Sequence, residues 1–225
     1  MIKAIIFDFD GTLSNRKENA YAVFDDYLRP YFKDFREEEY EAVLQDMMEY
    51  DCNGVISVEL RLIPFMKKYG KYLPDDFVER FSPYYNEQMF EYTNLKEETI
   101  DVLEQLQGKY KLAVLSNGDS IPQHAKVEKV GIEKYFDIVL VSGDIGYDKP
   151  DARVFDYLCS GLGVANKECV MVGDVFATDI LGAVNAGCVP VWLNTDPERP
   201  SKHYHGYQIK DLKSLLKILD SLKTA

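Results

Sequence analysis

The chain has few cysteines, no long apolar run and no C-x-x-C pair. Its four cysteines are scattered over 225 residues, a spacing that argues against a zinc site. We expect them to be reduced and to act as small hydrophobic side chains, as in a cytoplasmic protein. No stretch approaches the roughly 18 apolar residues of a membrane span. The apolar run 1–7 ends at Asp8, which is too early for a signal peptide.

Clustered positive charge is also missing. Lys and Arg total 26 against 38 Asp and Glu, which gives a formal net charge of −12. Nucleic acids and anionic membranes both require grouped Lys and Arg on their protein partners. We therefore predict neither as a partner, and expect a monomer or homodimer that acts on a small molecule. A hydrophobic content of 46% is ordinary for a folded globular protein.

Short apolar runs alternate with helical patterns along most of the chain. The runs are apolar on both faces, which is typical of buried parallel strands. This alternation implies right-handed βαβ units, and hence an α/β, Rossmann-like parallel sheet with helices on both faces. The predicted strands are 4–7, 112–115, 138–141, 170–172 and 189–193, and the predicted helices are 96–107, 122–131, 151–162, 177–186 and 211–222.

One segment interrupts the alternation. Residues 15–92 contain no strand-like run, and their aromatic residues recur at helical spacing. We interpret this segment as an inserted α-helical cap domain, with residues 1–14 and 93–225 forming the catalytic core. At helical spacing most of these aromatic side chains would belong to the core of the cap.

Polar side chains follow four of the predicted strands at the point where each ends. Asp8-Phe9-Asp10-Gly11-Thr12 follows the first, Ser116-Asn117 the second, Lys149-Pro150 the third, and Gly173-Asp174 with Asp179 the fourth. Each group alone fits an ordinary turn. Together they predict a ligand site, because ligands bind at the carboxyl ends of strands in open parallel sheets.

Carboxylates grouped in this way suit Mg²⁺, which prefers oxygen ligands. The predicted ligands are the Asp8 carboxylate, the backbone carbonyl of Asp10 and the Asp174 carboxylate. Asp8 would attack phosphorus as a nucleophile, and Asp10 would serve as general acid and base.

Other residues would bind the phosphoryl group or support the site. Gly11 and Thr12 would present backbone N–H groups to the phosphate in a tight turn. The Ser116 hydroxyl, the Asn117 N–H and the Lys149 ammonium would stabilise phosphoryl charge. Asp179 would either pair with Lys149 or hold a metal-bound water.

With these residues in order, the sequence resembles the haloacid dehalogenase-like (HAD) hydrolase superfamily. Asp8-Phe9-Asp10-Gly11-Thr12-Leu13 is similar to its first motif, Ser116-Asn117 to its second, Lys149-Pro150 to its third, and Gly173-Asp174 with Asp179 to its fourth. The helical segment 15–92 resembles the cap that the family inserts between its first two motifs. The resemblance implies a magnesium-dependent phosphatase in which the two motif-one aspartates serve as nucleophile and acid/base.

Three alternatives stay open within this fold. A 2-haloacid dehalogenase would lack the second motif-one aspartate, whereas Asp10 is present. A phosphomutase of the β-phosphoglucomutase type keeps every catalytic aspartate, so the sequence excludes it less firmly. A non-catalytic binding module would be expected to have lost a catalytic group, and none is lost here.

The substrate is less well defined than the chemistry. The stretches 141–151 and 172–187 are similar to the branch that contains pyrimidine 5′-nucleotidases and N-acylneuraminate-9-phosphatases. A nucleoside monophosphate or a sugar phosphate is therefore expected. Arg61 is the cap cation that we would test first against a second substrate anion, although a surface or paired arginine is an alternative reading.

Overall fold

A computed structural model describes residues 1–196 and 201–224 of the chain. The chain forms two compact units, one comprising Met1–Ser14 with Leu95–Ala225 and the other Asn15–Asn94. Each unit has its own apolar core. Residues 197–200 and 225, which fall in the predicted catalytic core, lie outside the described residues.

The first unit contains a parallel sheet with the order β3-β2-β1-β4-β5-β6. Its strands are β1 (Ala4–Phe7), β2 (Lys111–Ser116), β3 (Ile138–Val141), β4 (Cys169–Gly173), β5 (Val189–Leu193) and β6 (Tyr207–Ile209). The central strand β1 pairs with β2 on one side and β4 on the other, with Ile6 opposite Ala113 and Met171. The predicted α/β, Rossmann-like sheet is thereby confirmed. Sequence reasoning missed β6, because it is only three residues long and includes the polar Gln208.

Helices cover both faces of this sheet because alternate side chains of each strand point in opposite directions. Ile5 and Phe7 of β1 pack into the core cluster on one face. Ala4 and Ile6 pack into the cluster on the other face. The first cluster also receives side chains from α5 (Thr99–Leu106), α6 (Ser120–Lys129) and α10 (Ser214–Thr224), and the second from α8 (Ala152–Leu162) and α9 (Leu181–Ala186).

The remaining helices of this unit lie beside the strand ends. The short α7 (Ser142–Ile145) follows β3 directly, and a π-helical turn at Phe176–Ile180 leads into α9. This π turn occupies the start of the predicted helix 177–186, so the α-helix itself begins at Leu181. Within residues 1–196 and 201–224, none of the helices combines the length and apolar character that crossing a bilayer requires.

The second unit consists of helices and is built around aromatic side chains. Its long helices are α1 (Arg16–Leu28), α2 (Glu37–Asp51), α3 (Val58–Tyr69) and α4 (Phe77–Glu91). Phe24 of α1 stacks on Tyr85 of α4 with ring centroids 5.6 Å apart. Phe77 and Phe81 are stacked at 5.7 Å, and both are buried in the same cluster. These rings fill the core of the unit.

Three of the four cysteines meet in the core of the first unit. Cys159, Cys169 and Cys188 are buried in one cluster, whereas Cys52 is exposed. The sulfur atoms of Cys159 and Cys169 are 3.3 Å apart, and both residues are free thiols. Sequence patterns do not predict this contact, because the three cysteines come from α8, β4 and the turn after α9.

We expect the Phe155→Ala variant to lose about 3–5 kcal/mol of unfolding free energy, measured by urea denaturation. Phe155 is fully buried, and its ring packs so closely on Gly182 that a Cβ there would lie 2.7 Å from it. Tyr157 of the same helix is 60% exposed, so Tyr157→Ala should change the stability by less than about 0.5 kcal/mol. Equal losses in the two variants would contradict this description of the core.

Candidate active site

The sheet topology creates a crevice at the carboxyl ends of β1 and β4. The strand order runs from β1 toward β2 and β3 on one side, and toward β4, β5 and β6 on the other. Ligands bind at such a switch point because the connections on its two sides diverge. Asp8 follows β1 directly, and its backbone N–H donates to the Val172 carbonyl of β4 at 2.9 Å. Asp174 follows β4, so both carboxylates begin at adjacent strand ends.

Three carboxylates converge in this crevice. Asp8, Asp174 and Asp179 each offer an oxygen within 4.8 Å of the others. Oxygen donors of this kind suit a hard divalent cation. In the described part of the chain, no other group of His, Cys, Asp and Glu side chains meets this condition. The donor set therefore fits Mg²⁺.

A single ammonium group ties two of these carboxylates together. Lys149 Nζ lies 2.7 Å from Asp8 Oδ1 and 2.8 Å from Asp179 Oδ1. It also donates to the Leu115 carbonyl at 2.7 Å, so each of its three hydrogens has an acceptor. Lys149 is only 3% exposed. The ammonium therefore fixes the direction of the Asp8 side chain.

Burial and neighbouring charge shift the pKa values of this group. Burial raises the pKa of Asp8 well above its ordinary value; Lys149 opposes that shift, while Asp179 and Asp174 add to it. Burial and the Asp179 carboxylate raise the pKa of Asp174 to about 6. Burial by itself would lower the pKa of Lys149, but the Asp179 and Asp8 carboxylates raise it above its usual range. Ionised, the site has three carboxylates and one ammonium, a balance that a divalent cation would neutralise.

The turn after β1 is shaped by the approach of Asp174. Gly11 has φ +88°, and a Cβ at this position would lie 2.7 Å from Asp174 Oδ2. Both the backbone conformation and the close contact therefore favour glycine. The hydroxyl of the fully buried Thr12 donates to Asp174 Oδ1 at 3.3 Å. The Thr12 side chain thus orients a carboxylate, a contact that the sequence did not indicate.

Asp10 is held by two side chains of α6. Gln123 Nε2 donates to Asp10 Oδ2 at 2.8 Å, and Lys126 Nζ lies 3.1 Å from the same oxygen. Sequence reasoning missed both partners. They are three residues apart, so they lie on one face of the helix that follows β2. That spacing was the available signal, but only the fold shows that this face is turned toward Asp10.

The end of β2 is connected both to α6 and to the loop that carries Lys149. Ser116 Oγ accepts from Gln123 Nε2 at 2.8 Å, and the Ser116 hydroxyl donates to the Asn117 carbonyl at the long distance of 3.5 Å. The Asn117 side chain forms a reciprocal pair with the backbone of Lys149: its Nδ2 donates to the carbonyl at 3.0 Å, and its Oδ1 accepts from the N–H at 2.9 Å. The Asn117 side chain therefore positions the Lys149 loop.

Asp179 is fixed from several directions. Its side chain is 1% exposed, and its Oδ2 accepts from the Val175 N–H at 2.9 Å. Of the two roles that the sequence left open for Asp179, the structure shows the pair with Lys149.

Arg61 lies in the other unit, where it belongs to a buried ionic group. Its Nη1 lies 2.5 Å from Asp51 Oδ1, and its Nε donates to the Ile56 carbonyl at 2.8 Å. Arg16 binds the other oxygen of Asp51 at 2.6 Å, and Tyr85 OH donates to Asp51 Oδ1 at 3.2 Å. Arg61 is therefore a paired arginine in this structure, and its contact with a substrate stays a prediction.

The chain is similar to known proteins both in sequence and in fold. Residues 2–187 match the family model described as haloacid dehalogenase-like hydrolase. The chain is 37% identical to N-acylneuraminate-9-phosphatase of Homo sapiens over 58% of this chain and 55% of that protein. The chain thus spans about half the length of that relative.

Other similarities extend over most of the chain. A glyceraldehyde 3-phosphate phosphatase of Methanopyrus kandleri is 31% identical over 85% of this chain and 83% of its own length. The crystal structure of the HAD-hydrolase YfnB of Bacillus subtilis, bound to magnesium, superimposes with a TM-score of 0.77 at 24% identity. It covers 97% of this chain and 99% of that one. At this identity the likeness to YfnB shows the fold.

We expect Asp174→Asn to stabilise the metal-free protein at pH 7.5 by at most about 3 kcal/mol, because the pKa of Asp174 is raised from roughly 3.9 in the unfolded chain to about 6. A raised carboxyl pKa lowers the stability as the pH rises from the unfolded to the folded value, so the gain should vanish below about pH 4. Urea unfolding with a chelator, at pH 4 and 7.5, measures this difference.

The matched control is Asp101→Asn, which removes an exposed carboxylate from α5. It should leave the stability nearly unchanged at both pH values. A gain for Asp174→Asn that did not depend on pH would contradict the crowding of carboxylates in the crevice.

Proposed function

This chain belongs to the haloacid dehalogenase-like hydrolase family, and from that membership we propose that it is a magnesium-dependent phosphomonoesterase acting on a small phosphorylated metabolite. The observation that carries the proposal is the convergence of Asp8, Asp174 and Asp179 around Lys149 at the switch point of the sheet. The relatives named as phosphatases support it.

Asp8 is the proposed nucleophile. Its position at the end of a buried central strand gives it a fixed backbone, and Lys149 fixes one of its carboxylate oxygens at 2.7 Å. A nucleophile held in one direction loses little entropy when it reaches the reacting atom. Attack on phosphorus would break the bond to the leaving oxygen and give an aspartyl-phosphate on Asp8, which water would then hydrolyse.

Mg²⁺ would be held by the Asp8 and Asp174 carboxylates and, by analogy with the family motif, by the Asp10 backbone carbonyl. When bound, such an ion screens the repulsion between carboxylates and a phosphate dianion and polarises a phosphoryl oxygen. Two residues of the turn after β1 support this arrangement. The Thr12 hydroxyl orients Asp174, and the lack of a side chain at Gly11 leaves space for the Asp174 carboxylate.

Asp10 is the proposed general acid and base. It lies two residues from Asp8, and its side chain is 22% exposed, so a proton can be exchanged with the leaving oxygen or with water. Asp10 would protonate the leaving oxygen during the first step. The same carboxylate would then accept a proton from the water that attacks the aspartyl-phosphate.

Donors for the phosphoryl oxygens come from the end of β2, and a positive charge comes from the loop that follows α7. The Ser116 hydroxyl is the first: Gln123 occupies its acceptor side, and its long 3.5 Å hydrogen bond to the Asn117 carbonyl would give way to a phosphoryl oxygen. The backbone N–H of Asn117 is the second, and the Lys149 charge stands beside the nucleophile. Charge developing on the transferring group is stabilised by donors that are already in place.

The direct test is a phosphate-release assay over nucleoside monophosphates, sugar phosphates and a phosphonate. We expect Mg²⁺-dependent release from phosphomonoesters, loss of activity with a chelator, and loss of at least about a thousandfold in Asp8→Asn while the protein still folds. Asp101→Asn removes an exposed carboxylate of the same unit and should keep full activity.

Two outcomes would overturn the proposal. One is inactivity on every phosphomonoester together with turnover of a 2-haloacid. The other is the appearance of a phosphate-shifted isomer of the substrate without release of phosphate, which would indicate a mutase.

For Asp10→Asn we expect a loss that depends on the leaving group. An alkyl phosphate leaves as a strongly basic oxygen and needs the proton, so kcat/KM should fall by about 100-fold or more. For p-nitrophenyl phosphate, whose leaving group is stable as an anion, the loss should be much smaller. Equal losses on both substrates would remove Asp10 from the role of acid.

A further inference from the structure

We propose that Gln123 and Lys126 are positioning residues that act through Asp10, with Gln123 also setting the direction of the Ser116 hydroxyl. This inference rests on the proposed function, because it assigns partners to the general acid of that reaction. Neither residue belongs to the four motifs found in the sequence. Their assignment comes from the contacts that α6 makes with the ends of β1 and β2.

The two donors converge on one atom. Gln123 Nε2 and Lys126 Nζ lie 2.8 and 3.1 Å from Asp10 Oδ2, and Lys126 Nζ is also 3.5 Å from Oδ1. An aspartate on a turn has several accessible rotamers, and two donors on one oxygen select one of them. Lys126 and Asp10 are 13% and 22% exposed, so the pair is shielded from most of the solvent.

Gln123 links three parts of the site with one amide group. Besides Asp10, its Nε2 lies 2.8 Å from Ser116 Oγ and 3.2 Å from the Asn117 carbonyl. Gln123 is 6% exposed, which limits its own freedom. The amide therefore couples the direction of the acid to that of the hydroxyl that would donate to the phosphoryl group.

The helix beneath these side chains is anchored in the core. Val127, next to Lys126, is 2% exposed and belongs to the cluster that packs on Phe7 of β1. Residues three apart on a helix share a face, so anchoring α6 through Val127 fixes Gln123 and Lys126 together. Rigid side chains that support the reacting groups hold them within the small positional tolerance that catalysis requires.

The positioning of Asp10 has a chemical consequence. An acid that is held toward the leaving oxygen can protonate it as the bond to phosphorus breaks, whereas an acid that turns away cannot. Loss of the Lys126 contact would leave Asp10 less well oriented. The effect should therefore grow with the demand of the substrate for a proton.

The test compares kcat/KM for an alkyl phosphomonoester, glycerol phosphate, with that for p-nitrophenyl phosphate. kcat/KM reports the steps up to formation of the aspartyl-phosphate, so the later hydrolysis does not enter. In Lys126→Met we expect the loss on glycerol phosphate to exceed that on p-nitrophenyl phosphate by about tenfold. Lys126→Arg, which keeps the charge, should recover most of it.

Gln123→Met should show the same dependence on the leaving group. It should also raise the inhibition constant of inorganic phosphate severalfold, because Ser116 loses the donor that orients it. Lys167→Met is the matched control: it removes an exposed ammonium from the 3₁₀ turn before β4 and should change neither quantity. Thermal unfolding of each variant shows that it is folded.

Equal losses on the two substrates, or no loss in Lys126→Met, would overturn the inference while leaving the phosphatase proposal intact. A wild-type protein that is inactive on every phosphomonoester and turns over a 2-haloacid instead would overturn the proposed function, and the inference would fall with it.

Discussion

The candidate site depends on one buried ammonium among carboxylates. Lys149 is 3% exposed and holds Asp8 and Asp179 at 2.7 and 2.8 Å. Charges buried in this way are costly to desolvate, and removing one partner leaves the others uncompensated. The cluster is therefore stable only as a set. Its remaining negative charge suits a divalent cation, which would screen these carboxylates from an anionic phosphoryl group.

The sheet provides the rigidity that such a set requires. Its central strands are buried on both faces, and the backbone of Asp8 is tied to β4 before the side chain enters the crevice. Neighbouring segments add further ties, such as Asn117 to the Lys149 backbone and Thr12 to Asp174. Many polar side chains at the strand ends therefore orient other polar groups through hydrogen bonds, as is common around reactive sites.

In the helical unit, too, a buried charged group is stabilised by several partners. Asp51 is 1% exposed and accepts from two arginines and a tyrosine inside an aromatic core. Buried ionic groups of this kind need several partners, and Arg61 is committed to that role here.

Residue patterns alone were enough to predict the α/β class, five of the six strands found in the described residues and the order of the polar motifs, because apolar periodicity and strand-end residues are local properties. They also predicted that Asp8, Asp174, Lys149 and Asp179 lie close together, since parallel strands end at one edge, and the structure places these side chains in contact or near it. How these groups pair, and the contact of Thr12 with Asp174, became visible only in the fold. The fold was also needed to show that Gln123 and Lys126 contact Asp10 and that three cysteines pack together. Such contacts join residues as many as 162 positions apart, and they depend on helix rotation and side-chain direction, which no local pattern encodes.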